Sequence, residues 1–120
     1  MLERMQGLPE NVLGITARGE VTGTDYETVL IPAVDKMLAD RKSIRFLYHL
    51  GDEFTGFDTE AIWNDAKVGF QHFTSWEKVA VVTDVGWIRT AMKMFGFVLT
   101  GHVKVYSNNE LSEALKWLSE

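Results

Sequence analysis

The run from Ile44 to Ala66 limits the fold of this chain more than any other segment. Its first part, Ile44–Leu50, is largely apolar on both faces of a predicted strand, which is typical of a central strand covered on two sides. The segment Gly51–Asp58 carries acidic residues and glycines and predicts a turn, and an amphipathic helix capped by Asp58 or Thr59 follows. Strand, turn and helix in this order form one unit of an α/β protein, and such folds place ligands at the turn after the strand.

The other strand and helix patterns alternate along the chain. The further strand patterns are Leu2–Met5, Val12–Glu20, Lys78–Thr83 and His102–Tyr106. The first two predict an antiparallel hairpin, and the rest alternate with helical patterns, which predicts parallel strands with crossover helices. The fold class is therefore α/β. We expect a single domain over residues 1–120, with a five-stranded mixed, mostly parallel sheet flanked by four helices.

Several positions make specific predictions about the helices. Thr24 with Glu27, and Ser107 with Glu110, have the spacing of a capping box. Pro32 lies inside the first helical pattern and predicts a kink rather than a stop, because it lacks an amide donor and its ring crowds the preceding turn. The helix after the acidic turn has its apolar stripe at Ile62, Ala66, Phe70 and Phe73, and the next one has Trp87, Ile88, Ala91, Met92 and Phe95, with Gly96 as its C′ residue.

Composition excludes several classes of protein. The 120-residue chain has a formal net charge of −5 and no cysteine, which excludes disulfides, thiolate metal sites and a cysteine nucleophile. A mildly acidic chain is a poor match for a nucleic-acid binder, which needs a clustered basic face. There is no secretory signal pattern and no apolar run of about 18 residues that would predict a membrane span. We therefore expect a cytoplasmic protein.

The acidic turn is the first candidate site. Asp52 and Glu53 follow one central strand and Asp84 follows the next, so their carboxylates could together hold Mg²⁺. Turn and cap formation explains the same residues more simply. Thr55 and Thr59 stand near a helix N-terminus, where a phosphate would meet free amides, although a capping or turn hydroxyl is again the simpler interpretation.

The aromatic residues are the second candidate. The chain has four tryptophans and seven phenylalanines. Four aromatic residues lie on the helices that flank the acidic turn: Trp63, Phe70, Trp87 and Phe95. They could wall an apolar ligand pocket, fill the core, or form a protein–protein surface, where tryptophan is enriched.

Catalytic signatures are missing from the sequence. The three histidines do not share a metal-ligand spacing, no serine stands in a nucleophile elbow, and the glycines at 51 and 56 lack the lysine of a phosphate loop. An enzyme would need Asp52 and Asp84 to act together. We expect no enzymatic activity, no cofactor and no metal.

Several local motifs together resemble a known family. They are Thr24-Asp25-Tyr26-Glu27 with Pro32, Phe54-x-Gly56-Phe57 followed by Ala61-x-Trp63-x-Asp65, Val79-Ala80-Val81-Val82-x-Asp84 with Trp87, and Ala114-x-x-Trp117-Leu118. With them the chain resembles the SpoIIAA-like branch of the STAS (anti-sigma-factor antagonist) domains, and within it a small uncharacterised bacterial family. The fold is also similar to the lipid-binding CRAL-TRIO domain.

This resemblance implies a regulatory or interaction domain. STAS domains bind partner proteins, and some switch through phosphorylation of a serine at the start of the helix after the central strand. This chain has no Asp-Ser-Ser-Gly there, only Thr55 and Thr59 nearby, so no phosphosite is carried over. The leading prediction is a non-enzymatic regulatory or protein-interaction module. The alternative is a small apolar-ligand (lipid-like) binding protein with a pocket near Trp63 and Trp87.

The sequence thus predicts one site and leaves its partner open. The ligand-binding or interaction residues would be Asp52, Thr55, Trp63, Asp84 and Trp87, clustered beyond the two central strands. The protein partner is unspecified, and the sheet edge of the N-terminal hairpin allows a homodimer. Nucleic acid and a membrane span are not expected.

Overall fold

One five-stranded sheet organises the chain. The computed structural model describes residues 1–71, 75–95 and 102–120. Within them the strands follow the spatial order β1-β2-β3-β4-β5, with β1 antiparallel to β2 and every other neighbouring pair parallel. Their bounds are β1 (Leu2–Arg4), β2 (Val12–Val21), β3 (Ile44–Phe57), β4 (Trp76–Thr83) and β5 (His102–Tyr106). The predicted mixed, mostly parallel sheet is confirmed.

Helical segments connect the parallel strands. They are α1 (Gly23–Asp25), which passes through a π-helical turn (Tyr26–Leu30) into α2 (Ile31–Asp40), then α3 (Thr59–Gln71), α4 (Gly86–Phe95) and α5 (Leu111–Ser119), the last preceded by a 3₁₀ turn (Asn108–Glu110). Because α1, the π turn and α2 run on without a break, these elements make up the four predicted helices. The expected C′ glycine, Gly96, lies outside the described residues.

The sheet buries an apolar layer on each face. On one face, Phe46 and Tyr48 of β3 pack with residues of the π turn and of α2, α3 and α4. On the other face, Leu47 of β3 packs with Ala80 of β4 and Leu118 of α5. Successive side chains of a strand point to opposite faces, so the two-sided apolar pattern of β3 predicted this double burial correctly.

The predicted turn at Gly51–Asp58 is wrong, because β3 continues through it to Phe57. The extension pairs with the end of β2, where Gly19 faces Phe54 and Val21 faces Phe57. Between the pairs Ala17–Leu50 and Gly19–Phe54, β2 advances two residues and β3 advances four, so the acidic residues lie in a bulge. Gly56 has φ 154°, which L side chains rarely adopt. Glycines and acids that resemble a turn build an irregular strand instead.

The first helix is capped two residues earlier than Thr24–Glu27 predicts. The Asp25 amide donates to Thr22 Oγ1 at 3.2 Å, and the Thr22 amide donates to Asp25 Oδ2 at 2.9 Å. Thr22 therefore closes the capping box with Asp25. Two boxes of equal quality overlap in this sequence, and the one that begins directly after β2 forms.

The structure also bears on two other predictions about helices. The chain stays helical past Pro32, so the expected absence of a stop is confirmed, and a π turn precedes the proline, in which the Ile31 amide donates to the Tyr26 carbonyl. Before α5, the Ser107 amide donates to Glu110 Oε1 at 2.7 Å, as the second capping box predicts.

Asp58 joins the starts of two helices. Its Oδ1 atom accepts the Ala61 amide at 2.7 Å, which is the expected cap of α3, and also the Gly23 amide at the start of α1 at 3.2 Å. Gly23 has no room for a side chain, since an added Cβ would lie 2.5 Å from the Cβ of Glu60. The N-termini of α1 and α3 are thus fixed against each other.

The buried stripe of α3 differs from the predicted one. Ile62 is 53% exposed, whereas Ala61 and Val68 face the core. The side chains of Ala66 and Phe70, and all of Phe73, lie outside the described residues. The prediction is therefore wrong at Ile62, because α3 is apolar on more than one face and periodicity alone did not decide which face is buried.

Amide hydrogen exchange tests the central strands. We expect the slowest exchange in Ile44–Leu50 of β3 and in Val79–Thr83 of β4, because these paired segments are the most deeply buried. The bulged extension from Gly51 to Phe57 should exchange faster. Fast exchange throughout either central segment would contradict this assignment.

A pair of threonine substitutions tests the cap. Thr22→Ala removes the acceptor for the Asp25 amide and should lower the free energy of unfolding by about 1 kcal/mol. Thr24→Ala, two residues away at an exposed position, is the matched control and should be nearly neutral. Urea denaturation measures the free energy of unfolding of both variants. A larger loss for Thr24→Ala than for Thr22→Ala would show that Thr24 and Glu27 form the capping box instead.

Candidate interaction surface

The predicted site residues lie beyond the C-terminal ends of β3 and β4. Thr83 pairs with Leu50, so Asp84 follows β4 at the level where the extension of β3 begins. Asp52 and Thr55 are exposed on this extension. Helices α3 and α4 start at these same C-terminal ends of the strands, which form the edge of the sheet meant here, and they carry Trp63 and Trp87. The topology therefore brings the five residues to one edge, although whether they surround a single cavity stays a prediction.

Both tryptophans of the predicted site are exposed. Trp63 is 72% exposed and Trp87 is 57% exposed, and Ile62 beside Trp63 is 53% exposed. We call these three residues the indole surface. An interpretation of Trp63 and Trp87 as core residues is excluded by these values.

A chain of aromatic contacts connects Trp87 with the core. The ring centroids of Trp87 and Phe57 are 6.1 Å apart in an edge-to-face arrangement, and Phe57 lies 4.9 Å from Phe54. Phe57 is also 6.5 Å from Tyr48, which in turn lies 5.5 Å from Phe46. Such tilted and edge-to-face pairs are favourable geometries. Trp87 is therefore an exposed side chain on a buried aromatic support.

The polar residues of the predicted site have separate roles in the structure. Asp84 Oδ1 accepts the Asn108 amide at 3.0 Å and so holds the 3₁₀ turn before α5. Within the described part of the chain, no hydrogen bond or ion pair joins Asp52, Thr55 and Asp84 to one another. The simpler interpretation of Asp84, a loop and turn acceptor, accounts for its one hydrogen bond.

A buried hydrogen-bond chain that the sequence did not predict lies behind the indole surface. Tyr26 Oη donates to Asp65 Oδ1 at 2.7 Å and lies 2.9 Å from Tyr48 Oη. Because each hydroxyl has one proton, Tyr48 is the donor to Tyr26. The chain joins the π turn, β3 and α3. Its only sequence signal is Asp65, which stands one helical turn after the buried Ala61 on α3.

Burial changes the ionisation of this chain. It raises the pKa of Tyr26 and of Tyr48 well above the ordinary range, with the charge of Asp65 adding to both shifts, so both hydroxyls stay protonated donors. Desolvation also raises the pKa of the Asp65 carboxyl, and the hydrogen bond from Tyr26 opposes that shift. The rest of the Asp65 residue is exposed, so the shift is confined to the carboxyl that faces Tyr26.

Histidine and metal chemistry find little support at this edge. His49 is half-buried on β3, and desolvation, together with the charge of Arg18, lowers its pKa while Asp52 opposes the shift. His72 and the side chain of His102 lie outside the described residues. Among the residues that the structure describes, no three His, Cys, Asp or Glu side chains are arranged to hold a metal ion.

A small cavity lies elsewhere, in the loop between β1 and β2. It has a volume of about 190 Å³ and is lined by residues 4–10 and Val12. Ligand pockets usually measure about 300–1,000 Å³. None of the predicted site residues lines this cavity. In the described residues, no helix combines the length and the apolar character that crossing a membrane requires.

Asp65 and Tyr26 provide a test of the buried chain. Tyr26→Phe leaves Asp65 and Tyr48 without their shared partner and should cost about 1–3 kcal/mol of stability. Asp65→Asn keeps an acceptor for Tyr26 and removes the charge. Because the folded-state pKa of Asp65 is raised, its stabilising contribution is complete below the unfolded-state pKa and is lost as pH rises through the folded-state pKa.

The stability of Asp65→Asn relative to the natural chain should therefore increase from pH 3 to pH 7, as measured by urea denaturation. Asp40→Asn, at the far end of α2, controls for the change in net charge. A neutral Tyr26→Phe variant, or a relative stability of Asp65→Asn that is constant with pH, would contradict the proposed bonding.

Comparison with known proteins places this geometry in context. A family described as SpoIIAA-like has a sequence model that matches residues 12–119. An uncharacterised protein of the DUF3478 family from Shewanella loihica PV-4, solved with a SpoIIAA-like fold, is 25% identical with a TM-score of 0.79, over 98% of this chain and 92% of that chain. The anti-sigma factor antagonist SpoIIAA in its unphosphorylated form is 8% identical with a TM-score of 0.64, over 97% and 98% of the two chains. No curated protein matches the chain.

Proposed function

Because the chain belongs to the SpoIIAA-like family, we propose that it is a non-enzymatic regulatory module that acts by binding a partner protein through the indole surface. The fold is shared with an anti-sigma factor antagonist, which supports the regulatory part of the proposal. At 8% identity, that likeness concerns the fold alone. The contact surface is therefore inferred from the residues of this chain.

The observation that carries the proposal is the exposure of Trp63, Trp87 and Ile62 at one edge of the sheet. Tryptophan is the residue most enriched among those that dominate binding energy at protein interfaces. Covering one exposed indole removes on the order of 100 Å² of apolar area from water, which is worth about 2.5 kcal/mol. Two indoles and an isoleucine therefore qualify as the anchor residues of a larger interface, which typically buries about 800 Å² on each partner.

The surface is also held in place before any partner binds. Phe57 supports Trp87 from below, and Asp65 ties α3, the helix of Trp63, to Tyr26. Asp58 fixes the start of α3 against Gly23. Side chains on a rigid support lose less conformational entropy on binding, which favours affinity.

The non-enzymatic part of the proposal rests on the sequence, which has no nucleophile elbow and no phosphate loop. An enclosed ligand pocket would bury its walls, and the exposure of Trp63 and Trp87 supports an interface over such a pocket. Thr55 and Thr59 are exposed near the start of α3, but no observation on either residue supports a phosphoswitch.

Affinity purification with matched variants tests the proposed function. The natural chain, the Trp63→Ala/Trp87→Ala double variant and a Met94→Ala control would each be used as bait in cells of the natural host. Met94 is 67% exposed near the other end of α4, so its loss changes apolar exposure without touching the indole surface. We expect a partner protein that the natural chain and Met94→Ala retain and the double variant loses.

Calorimetry with the purified partner then measures how much the substitutions change the affinity. Loss of two anchor residues, each worth about 2 kcal/mol or more, should raise the dissociation constant by about three orders of magnitude, and loss of either one alone by about 30-fold. Unchanged binding by the double variant would overturn the surface. Quenching of Trp63 and Trp87 fluorescence by stoichiometric fatty acid, with no tryptophan-dependent partner, would favour the lipid-like ligand instead.

A further inference from the structure

We propose that the partner segment that occupies the indole surface is basic, with apolar anchor residues flanked by lysine or arginine. This inference rests on the proposed function, because it names the chemistry of the partner at the same surface. It comes from the charges that surround the indole surface, which the proposed function does not use.

Carboxylates are concentrated in the stretch that forms the surface. Residues 51–66 contain no lysine or arginine and five acidic residues, namely Asp52, Glu53, Asp58, Glu60 and Asp65. The formal net charge of the whole 120-residue chain is −5. This stretch therefore carries a large share of the acidic residues of the protein, with Arg18 of β2 as a cation beside it.

Three of these five carboxylates have partners. Glu53 pairs with Arg18, Asp58 accepts two helix amides, and Asp65 accepts the Tyr26 hydroxyl. Their roles are structural.

The other two acids remain uncompensated. Asp52 and Glu60 are exposed and form no ion pair within the described part of the chain. Exposed carboxylates without a cation beside them are available to a partner.

One of these free carboxylates lies next to a tryptophan of the surface. Glu60 precedes Trp63 by three residues on α3, a spacing that places side chains on the same face about 5–6 Å apart at Cβ. Asp52 lies in the bulge of β3 that leads to Phe57, the aromatic support of Trp87. An apolar segment that covers the tryptophans must therefore pass close to negative charge.

The cations of the two helices do not cancel this charge. Arg89 of α4 donates to the Thr83 carbonyl at 2.8 Å and so is engaged by the protein itself. Lys67 is exposed one turn beyond Trp63, farther from the start of α3, and Lys93 stands near the end of α4. The lysines of these two helices therefore lie farther along the helices than Glu60 and do not neutralise it.

These charges favour some partners over others mainly by changing the association rate and by repelling partners of like charge. Rim charges of exposed interfaces change association rates and reject like-charged partners more than they add affinity. Their reach is about 10 Å at 0.1 M salt. A phosphate-bearing or acidic surface would be repelled, whereas a segment with lysine or arginine beside its apolar anchors would be attracted.

A displayed library of random 12-residue peptides, selected on the 120-residue chain, tests the charge of the partner. Peptides that also bind the Trp63→Ala/Trp87→Ala variant would be removed. We expect the remaining peptides to contain aromatic or aliphatic residues and to be enriched about threefold in lysine and arginine over the input. A synthetic peptide from this pool should bind about tenfold more weakly at 500 mM than at 50 mM salt.

Charge variants provide the matched comparison. Asp52→Asn/Glu60→Gln should weaken binding of the same peptide about five- to tenfold. Asp40→Asn, at the C-terminal end of α2, should leave the affinity of the peptide unchanged. Neutral or acidic peptides that depend on both tryptophans would overturn the basic partner and leave the proposed function standing. A selection without any tryptophan-dependent peptide would overturn the indole surface as a docking site, and this inference with it.

Discussion

The long central strand β3 is the element on which the rest of the structure depends. Its first half is buried between two layers, with Tyr48 toward the π turn and helices α2–α4 and Leu47 toward α5. Its second half extends past β4, stays paired with β2 and carries Phe54 and Phe57 outward. One strand thus joins the core to the exposed edge. The bulge permits this, because it lets the strand change direction without losing its partner.

The helices around the edge are fixed by polar contacts at their starts. Asp58 caps α3 and holds the first amide of α1, while Tyr26 of the π turn reaches Asp65 of α3. π-helical turns within helices are found frequently at functional sites, and here the turn contains the tyrosine that contacts α3. These side-chain hydrogen bonds between neighbouring elements therefore fix the position of Trp63 relative to the sheet.

The errors of sequence interpretation share a cause. The pattern in the acidic segment satisfied turn preferences, yet pairing with β2 outweighed them, and pairing is a long-range interaction that a local pattern does not contain. Ile62 fitted a helical stripe as well as Ala61 did, and only the position of the sheet decided between them. Trp63 and Trp87 were identified as site residues, whereas the Tyr26–Tyr48–Asp65 chain joins residues far apart in sequence and went unpredicted.

The sequence by itself determined the α/β class, the central strands and the starts of α3 and α5, because apolar periodicity and capping spacing are local properties that each segment carries. It also identified Trp63, Trp87 and the acidic stretch as the residues to consider. Only the tertiary structure decided that the indoles are exposed and that the acidic stretch continues β3 beyond Leu50. Exposure and proximity depend on which faces of distant segments pack together, and that choice is made by the whole core.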